Sequence, residues 1–344
     1  MDIESTITVS PKEAIEFVET VLRARRVPFL RGSPGIGKTD IAHTVAENYN
    51  LQLIDMRLSQ CDPTDLNGFP TIINGKAHYI PMSVFPLESD PLPPGKDGWL
   101  IMFDELPSAL PAIQAAAYKI LLDRQVGQHK LHNNVLMMAA GNKETDNAVA
   151  YSISTALQSR LVHANLESSF NDWMEWADKN NVNTMVKFFL KFKPDLLHNF
   201  KPDHTDSTYG CPRTWVMFSN LMDLNINLDT NTGMALAAGT IGQGAAREFY
   251  AWYQNFTKIP KIADIIANPG GIPVPTEMGI KFAMVGALSN AMDTSNASAL
   301  LQYLGRMELE FNVIAMREAI RKKPVLRNEP SVRSFLKENI NELT

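Results

Sequence analysis

Cysteine is nearly absent from this chain: two occur in 344 residues, Cys61 and Cys211, far apart and without metal-ligand spacing. That excludes a disulfide-built secreted domain and points to a reducing, cytoplasmic setting. Also missing is any run approaching the ~18 uninterrupted apolar residues of a membrane helix. The start, MDIESTITVS, lacks the basic residues and apolar stretch of a signal peptide. Positive charge is not in excess either. With 32 Lys and Arg against 37 Asp and Glu, the net charge of −5 argues against a whole-surface grip on nucleic acid, though not against a local basic groove. Low-complexity tracts and fixed-period repeats are absent. What remains is a soluble protein with 45% hydrophobic residues, long enough for two domains and a helical extension. The 16 methionines sit largely in apolar runs, as core filling.

Against that background one stretch stands out: VPFLRGSPGIGKTD, Val27 to Asp40. A short apolar strand breaks into a glycine-rich turn that reads G-x-x-x-x-G-K-[ST], and helical spacing follows. The loop Gly32, Ser33, Pro34, Gly35, Ile36 and Gly37 is expected to cradle phosphate with backbone N–H groups at a helix N-terminus. Lys38 would reach the β- and γ-phosphates and Thr39 would hold Mg²⁺ through its hydroxyl. Pro34 has no N–H, so it stiffens the loop.

The surrounding pattern is that of an α/β domain. Ser10-Pro11-Lys12-Glu13 forms a capping box with proline at the first helical position. A second strand is expected at Leu51 to Leu58, a hairpin around Asn74-Gly75, and a proline-rich return loop at Leu87 to Gly98. Trp99 to Phe103, WLIMF, has the unbroken apolarity of a parallel strand buried on both faces. A helix through Leu122, a basic hairpin-like stretch RQVGQHKLHNN, a strand from Val135 and a last strand at Leu161 to Leu166 complete the alternation, which indicates a three-layer αβα domain with a central parallel sheet. From about Ser168 the strands cease. Helices are expected near Asn171 to Lys179, Asn183 to Phe192, Pro212 to Leu224 and Gly233 to Gln254, with two or three more after the connector NPGGIPVP. The cluster Arg321, Lys322, Lys323 and Arg327 reads as a solvated helix end.

Phosphoryl transfer needs positioned water, a metal and neutralised charge, supplied from the carboxyl ends of strands beside the phosphate loop. Asp104, ending WLIMF, is placed to hold Mg²⁺. Glu105 is the candidate to orient and deprotonate water, and Asn142, ending VLMMAAGN, to bind that water or the γ-phosphate. Two adjacent acids at the end of a buried strand are costly without a cation.

In this order the motifs resemble those of the AAA+ ATPases, and within them the MoxR-like branch. GSPGIGKT is similar to Walker A, LIMFDEL to Walker B, and AAGN to sensor 1. SQCDPTDLNGFP with its NGK hairpin resembles that branch's insertion in the second helix, here about residues 62–98, and RQVGQHKLHNN its hairpin before sensor 1. Arg160 in ALQSRLVH matches the arginine-finger position, with Arg124 in LLDRQV as a rival, and Arg213 in GCPRTW matches the lid arginine. The chain departs from the pattern at Ser159, where an acid is usual, and at Cys211, where a serine is common.

The resemblance implies an AAA+ nucleotide-binding domain over 1–167, a helical lid over 168–257 and a helical extension over 258–344. It implies ATP and Mg²⁺ as ligands and a homo-oligomeric ring, usually a hexamer, with Arg160 entering the neighbour's site and Arg213 contacting nucleotide. It also implies work on a protein client, commonly with a von Willebrand factor A domain partner. A DNA-directed AAA+ protein, of loader or helicase type, is the alternative; the acidic balance and sparse aromatic-basic interleaving weigh against it.

Overall fold

The computed structural model describes residues 7–143, 146, 151–204, 206–254 and 259–339. The chain divides into two compact units, one of Met1–Trp173 with Phe200–Thr205, the other of Met174–Asn199 with Asp206–Thr344.

Among its described residues the first unit carries ten strands: β1 (Thr8–Val9), β2 (Val27–Arg31), β3 (Leu51–Arg57), β4 (Phe69–Ile73), β5 (Lys76–Ile80), β6 (Gly98–Asp104), β7 (Gln125–Val126), β8 (His129–Lys130), β9 (Val135–Gly141) and β10 (Leu161–Leu166). Its helices are α1 (Pro11–Arg23), α2 (Lys38–Asn48), α3 (Pro63–Asn67), α4 (Pro111–Asp123) and α5 (Thr155–Gln158). Six strands form one parallel sheet in the order β1-β10-β2-β9-β6-β3. The alternation of side chains along a strand divides the core in two. Phe29, Ile101, Phe103, Met137 and Ala139 pack on one face, Leu30, Leu100, Met102, Met138 and Ala140 on the other. This two-sided burial is why WLIMF shows no polar alternation.

The local signals act as expected. Ser10 caps α1 in a capping box with Glu13, and Pro11 fills its first position. The Asn74-Gly75 turn, both residues at positive φ, joins β4 to β5. β7 and β8 form the second hairpin. The edge strand β1, two residues long, is too short to show any periodicity in the sequence.

After β10 the described chain is helical: α6 (Phe170–Lys179), within which the division falls, α7 (Thr184–Phe192), α8 (Pro212–Asp223), α9 (Asn231–Ile241), α10 (Gln243–Tyr253), α11 (Ile262–Ala267), α12 (Met278–Ala291), α13 (Ala297–Leu304), α14 (Leu309–Lys322) and α15 (Pro330–Glu338). The single helix expected over Gly233 to Gln254 is two, because Gly242 at φ +84° ends α9 and starts α10. Among the described residues four α-helices, rather than two or three, follow the connector. The expected lid boundary near 257 lies outside the described residues.

An aromatic cluster of Phe189, Trp215, Phe218, Phe249 and Trp252 fills the second unit, with ring centroids 4.9 to 6.5 Å apart. Both indole N–H groups find carbonyls, Trp215 at Leu196 and Trp252 at Gly279. Beside it Lys187, 1% exposed, donates to Asp178 and Glu318, and Arg321 donates to Glu318. The basic cluster is therefore not simply a solvated helix end: Arg321 is a member of a buried ion network, and Lys323 donates to the Met292 carbonyl. Among the described residues no helix is long and apolar enough to cross a membrane.

Candidate nucleotide site

β2 ends at Arg31 and α2 begins at Lys38, so the six residues between them turn at the carboxyl edge of the sheet. Gly35 (φ +77°) and Gly37 (φ +100°) adopt backbone geometry that other L-residues rarely do. At Gly32 the constraint is space: a Cβ there would lie 2.5 Å from the Ile36 side chain and 2.9 Å from the Leu166 carbonyl. The first bond of α2 runs from Ile41 N–H to the Gly37 carbonyl, 3.0 Å. The N–H groups of the turn before it therefore have no intrahelical partner, the condition for an anion site.

Neighbouring strand ends are fastened to this loop. Gly32 N–H donates to the Gly141 carbonyl at the end of β9, 3.1 Å. Gly141 in turn lies so close to Pro107 that a Cβ would fall 2.3 Å from the proline ring, locking the turn after β6 against β9. Lys38, 8% exposed, donates to the Gly32 carbonyl at 2.5 Å, the Ser33 carbonyl at 3.0 Å and Asn142 Oδ1 at 3.0 Å. Its ammonium thus joins the loop to the residue that follows β9.

Asp104, the last residue of β6, accepts from the Glu105 N–H at 2.8 Å. Burial pushes its carboxyl above the usual carboxylate range, and Asp55 and Glu105 push the same way; the Glu105 N–H and the Lys38 charge pull it down. A partly buried carboxylate held at that cost suits a cation. Among the described residues no three His, Cys, Asp or Glu side chains group as a metal site. One carboxylate and a hydroxyl, completed by phosphate oxygens, is nonetheless a donor set that fits Mg²⁺. Thr39 supplies a hydroxyl in the first turn of α2.

Glu105 sits in left-handed backbone, φ +58°, uncommon for a residue with a Cβ and typical of functional turns. Its Oε2 accepts a hydrogen bond from Ser59 Oγ, in the turn after β3. Ser59 is a contact the sequence reading missed, as is Asp146, which accepts from Ser33 Oγ at 3.3 Å and from Lys143 N–H at 3.2 Å. Neither belongs to a motif.

Two candidates stand apart from this group. Arg160 immediately precedes β10, whose first residues pair with the first residues of β2. In a parallel sheet that puts Arg160 at the amino edge, roughly 15 to 20 Å of strand away from the loop of its own unit. There it is exposed, donates to the Ala156 carbonyl at 2.8 Å and lies 5.7 Å over the Tyr118 ring. It lines a cleft of about 570 Å³ with Arg25, Arg26 and Arg124. Arg124 is committed locally, donating to the His132 and Val135 carbonyls at 3.1 and 2.7 Å. Arg213 belongs to the second unit, where it is exposed in the first turn of α8.

No family model matches the chain. It is 30% identical over 115 residues to the replication factor C large subunit of Sulfurisphaera tokodaii, 33% of this chain and 23% of that protein, so it spans about a quarter of that relative's length. Among solved structures it is similar to a RuvB mutant of Thermotoga maritima, with TM-score 0.39 and 14% identity over 86% of this chain and 88% of that one. It is also similar to a Cytophaga hutchinsonii protein described as an ATPase by assignment, with TM-score 0.38 and 13% identity over 98% of this chain and 91% of that one. At these levels the roles of individual residues rest on the geometry above.

Proposed function

We propose that the chain is an ATP-hydrolysing AAA+ ring ATPase of MoxR-like type that remodels or activates a protein client. The observation that carries this reading is the convergence of three strand ends on one loop: Lys38 bonded to Asn142 just after β9, with Asp104 ending and Glu105 following β6, the next strand beyond β9. The loop from Gly32 through Ser33, Pro34, Gly35, Ile36 and Gly37 binds the phosphates with its backbone. Lys38 exchanges a carbonyl contact for a phosphate oxygen, and Thr39 and Asp104 hold Mg²⁺, which when bound offsets charge on the transferred phosphoryl group. Glu105 takes the proton of the attacking water. Asn142 orients that water or the γ-phosphate.

Arg160, at the amino edge, serves a neighbouring subunit, and Arg213 contacts nucleotide from the lid of 168–257. Hydrolysis would then depend on assembly into a ring, hexameric by the resemblance, because an arginine finger is worth roughly 10³ to 10⁵ in rate. A partner with a von Willebrand factor A domain and a cytoplasmic setting fit the same reading.

The test compares two variants of the full chain. Lys38→Ala should lose ATP binding, whereas Glu105→Gln should bind and retain ATP without turnover; equal loss of binding in both would remove the role given to Glu105. The name of the 30% identical relative, replication factor C, favours a second reading in which the ring acts on DNA. Stimulation of the ATPase by single-stranded DNA, with a steep salt dependence, would establish that reading instead.

A further inference from the structure

The β4–β5 hairpin is apolar and yet belongs to no core. Phe69 is 65% exposed, Ile72 79% and Ile80 50%, and Ile73 and Tyr79 are exposed with them. The register pairs Phe69 with Ile80 and Thr71 with His78 on one face, and Pro70 with Tyr79 and Ile72 with Ala77 on the other. Large hydrophobic groups therefore stand in solvent on both faces. Contiguous exposure of this kind marks an interaction surface.

The ribbon is nonetheless held at its base. Gly68, at φ +92°, lies so close to strand β5 that a Cβ would fall 2.5 Å from the Ile80 carbonyl. The turn of the β7–β8 hairpin packs on the same base: a Cβ on Gly127 would fall 2.7 Å from the Asn67 carbonyl and 3.1 Å from Tyr79 Cβ. His129 Nε2 lies 3.2 Å from the Tyr79 carbonyl, and Lys119 Nζ donates to the Gly127 carbonyl at 2.6 Å. The two hairpins thus form one braced projection rather than two loose loops.

Charge gives the occupant. In a chain with 37 acidic residues, residues 68–87 and 125–134 contain none. The charged side chains of the two hairpins are Lys76 and Lys130, both exposed, with His78 and His129 beside them. Two lysines are too few to track a phosphate backbone, and the tip of the ribbon, Ile72 and Ile73, offers no ring on which a base could stack; its exposed rings, Phe69 and Tyr79, stand at the base. We infer that this braced hairpin pair binds an extended polypeptide segment of apolar residues interspersed with carboxylates. The apolar faces supply contact area, and the lysines favour acidic over basic segments. The inference rests on the protein-client reading above and names the chemistry of that client.

The experiment uses the full chain and a fluorescein-labelled 20-residue peptide of repeated Leu-Ser-Phe-Glu, read by anisotropy with ATP present. Matched probes are the same peptide with Lys for Glu, a 20-nucleotide oligodeoxythymidine, and phosphatidylglycerol vesicles. The acidic peptide should bind about tenfold more tightly than the basic one. The double variant Ile72→Ser, Ile73→Ser should weaken it by about tenfold. The double variant Lys76→Glu, Lys130→Glu should abolish or reverse the preference for acid. All substituted side chains are exposed, so circular dichroism and basal ATPase should match the parent. Failure to bind the acidic peptide by a protein that hydrolyses ATP overturns the inference and leaves the ATPase intact. Tighter binding of the oligonucleotide or the vesicles overturns it too. Absence of ATP binding in the parent instead removes the reading on which the inference stands.

Discussion

The Nζ of Lys38 lies 3.0 Å from the Oδ1 of Asn142, so the first residue of α2 and a residue 104 positions later share one hydrogen bond. A phosphate oxygen reaching Lys38 therefore arrives beside Asn142 as well. Asn142→Ala should keep ATP affinity within about threefold while lowering kcat by roughly 10²-fold, the scale on which one oriented hydrogen-bond donor acts. Titration with a fluorescent ATP analogue and steady-state ATPase on the same preparation check it. A large loss of affinity would move Asn142 from transition-state to ground-state binding.

Ser59 donates to Glu105 from a different strand turn, and Glu105 holds a left-handed backbone. The hydrogen bond restricts the carboxylate rotamer. Ser59→Ala should lower kcat by about three- to tenfold, a fraction of the 10² to 10⁴ typical of a general base, with KM unchanged. Combined with Glu105→Gln, it should cost nothing further in turnover. An additive loss in the double variant would show that Ser59 acts independently of Glu105.

Much of this arrangement was legible because single-sequence signals coincide with single structural demands. WLIMF must be apolar throughout because Ile101 and Phe103 pack on one face of the sheet and Leu100 and Met102 on the other. Gly32 and Gly37 are required by space and by backbone angle. What was not legible depends on partners distant in sequence. Ser59 meets Glu105 across 46 positions. Arg321 resembles any exposed helix-end cation until Glu318 and Asp178 are placed beside it. Gly242 breaks a helix although Gly239 and Gly244, nearby, lie within helices, because its positive φ follows from tertiary placement.

Arg124 and Arg160 line the same cleft but differ in commitment. Arg124 spends its guanidinium on two carbonyls of its own unit, whereas Arg160 has one and is otherwise open. Arg160→Ala should therefore reduce ATPase by about 10³-fold or more without lowering Tm, and Arg124→Ala should lower Tm. Mixing Arg160→Ala with Lys38→Ala subunits should recover part of the ATPase, since each supplies what the other lacks. No recovery in demonstrably mixed rings would place Arg160 outside the neighbour's site.

Asp104 has a carboxyl raised by burial, so its contribution to stability has the opposite sign from a salt-bridged acid. A raised folded pKa favours the fold at low pH and is lost as pH rises through it. At pH 8 Asp104→Asn should raise Tm of the nucleotide-free protein by roughly 2 to 4 °C. As the pH is lowered the gain should shrink, because a carboxyl raised by burial takes up its proton earlier in the folded than in the unfolded chain. The same variant should lose Mg²⁺-dependent ATPase. A Tm gain that does not depend on pH would mean that burial of the charge is not its cause.

Glu318 shows the reverse sign. Burial alone would raise its carboxyl, but hydrogen bonds and charge from Arg321 and Lys187 outweigh burial and bring it down from 4.5 to about 2. A depressed acid contributes stability that is present above its unfolded pKa and lost as pH falls through the folded one. The second unit should therefore weaken between pH 4.5 and about 2. Glu318→Gln removes that window and leaves Lys187, 1% exposed, with Asp178 as its remaining carboxylate. The cost should be about 3 to 5 kcal/mol by denaturant unfolding at pH 7, the usual result of breaking a buried pair from one side. Replacing Lys187 and Glu318 together with Met and Leu should recover most of it, because neither charge is then left buried alone.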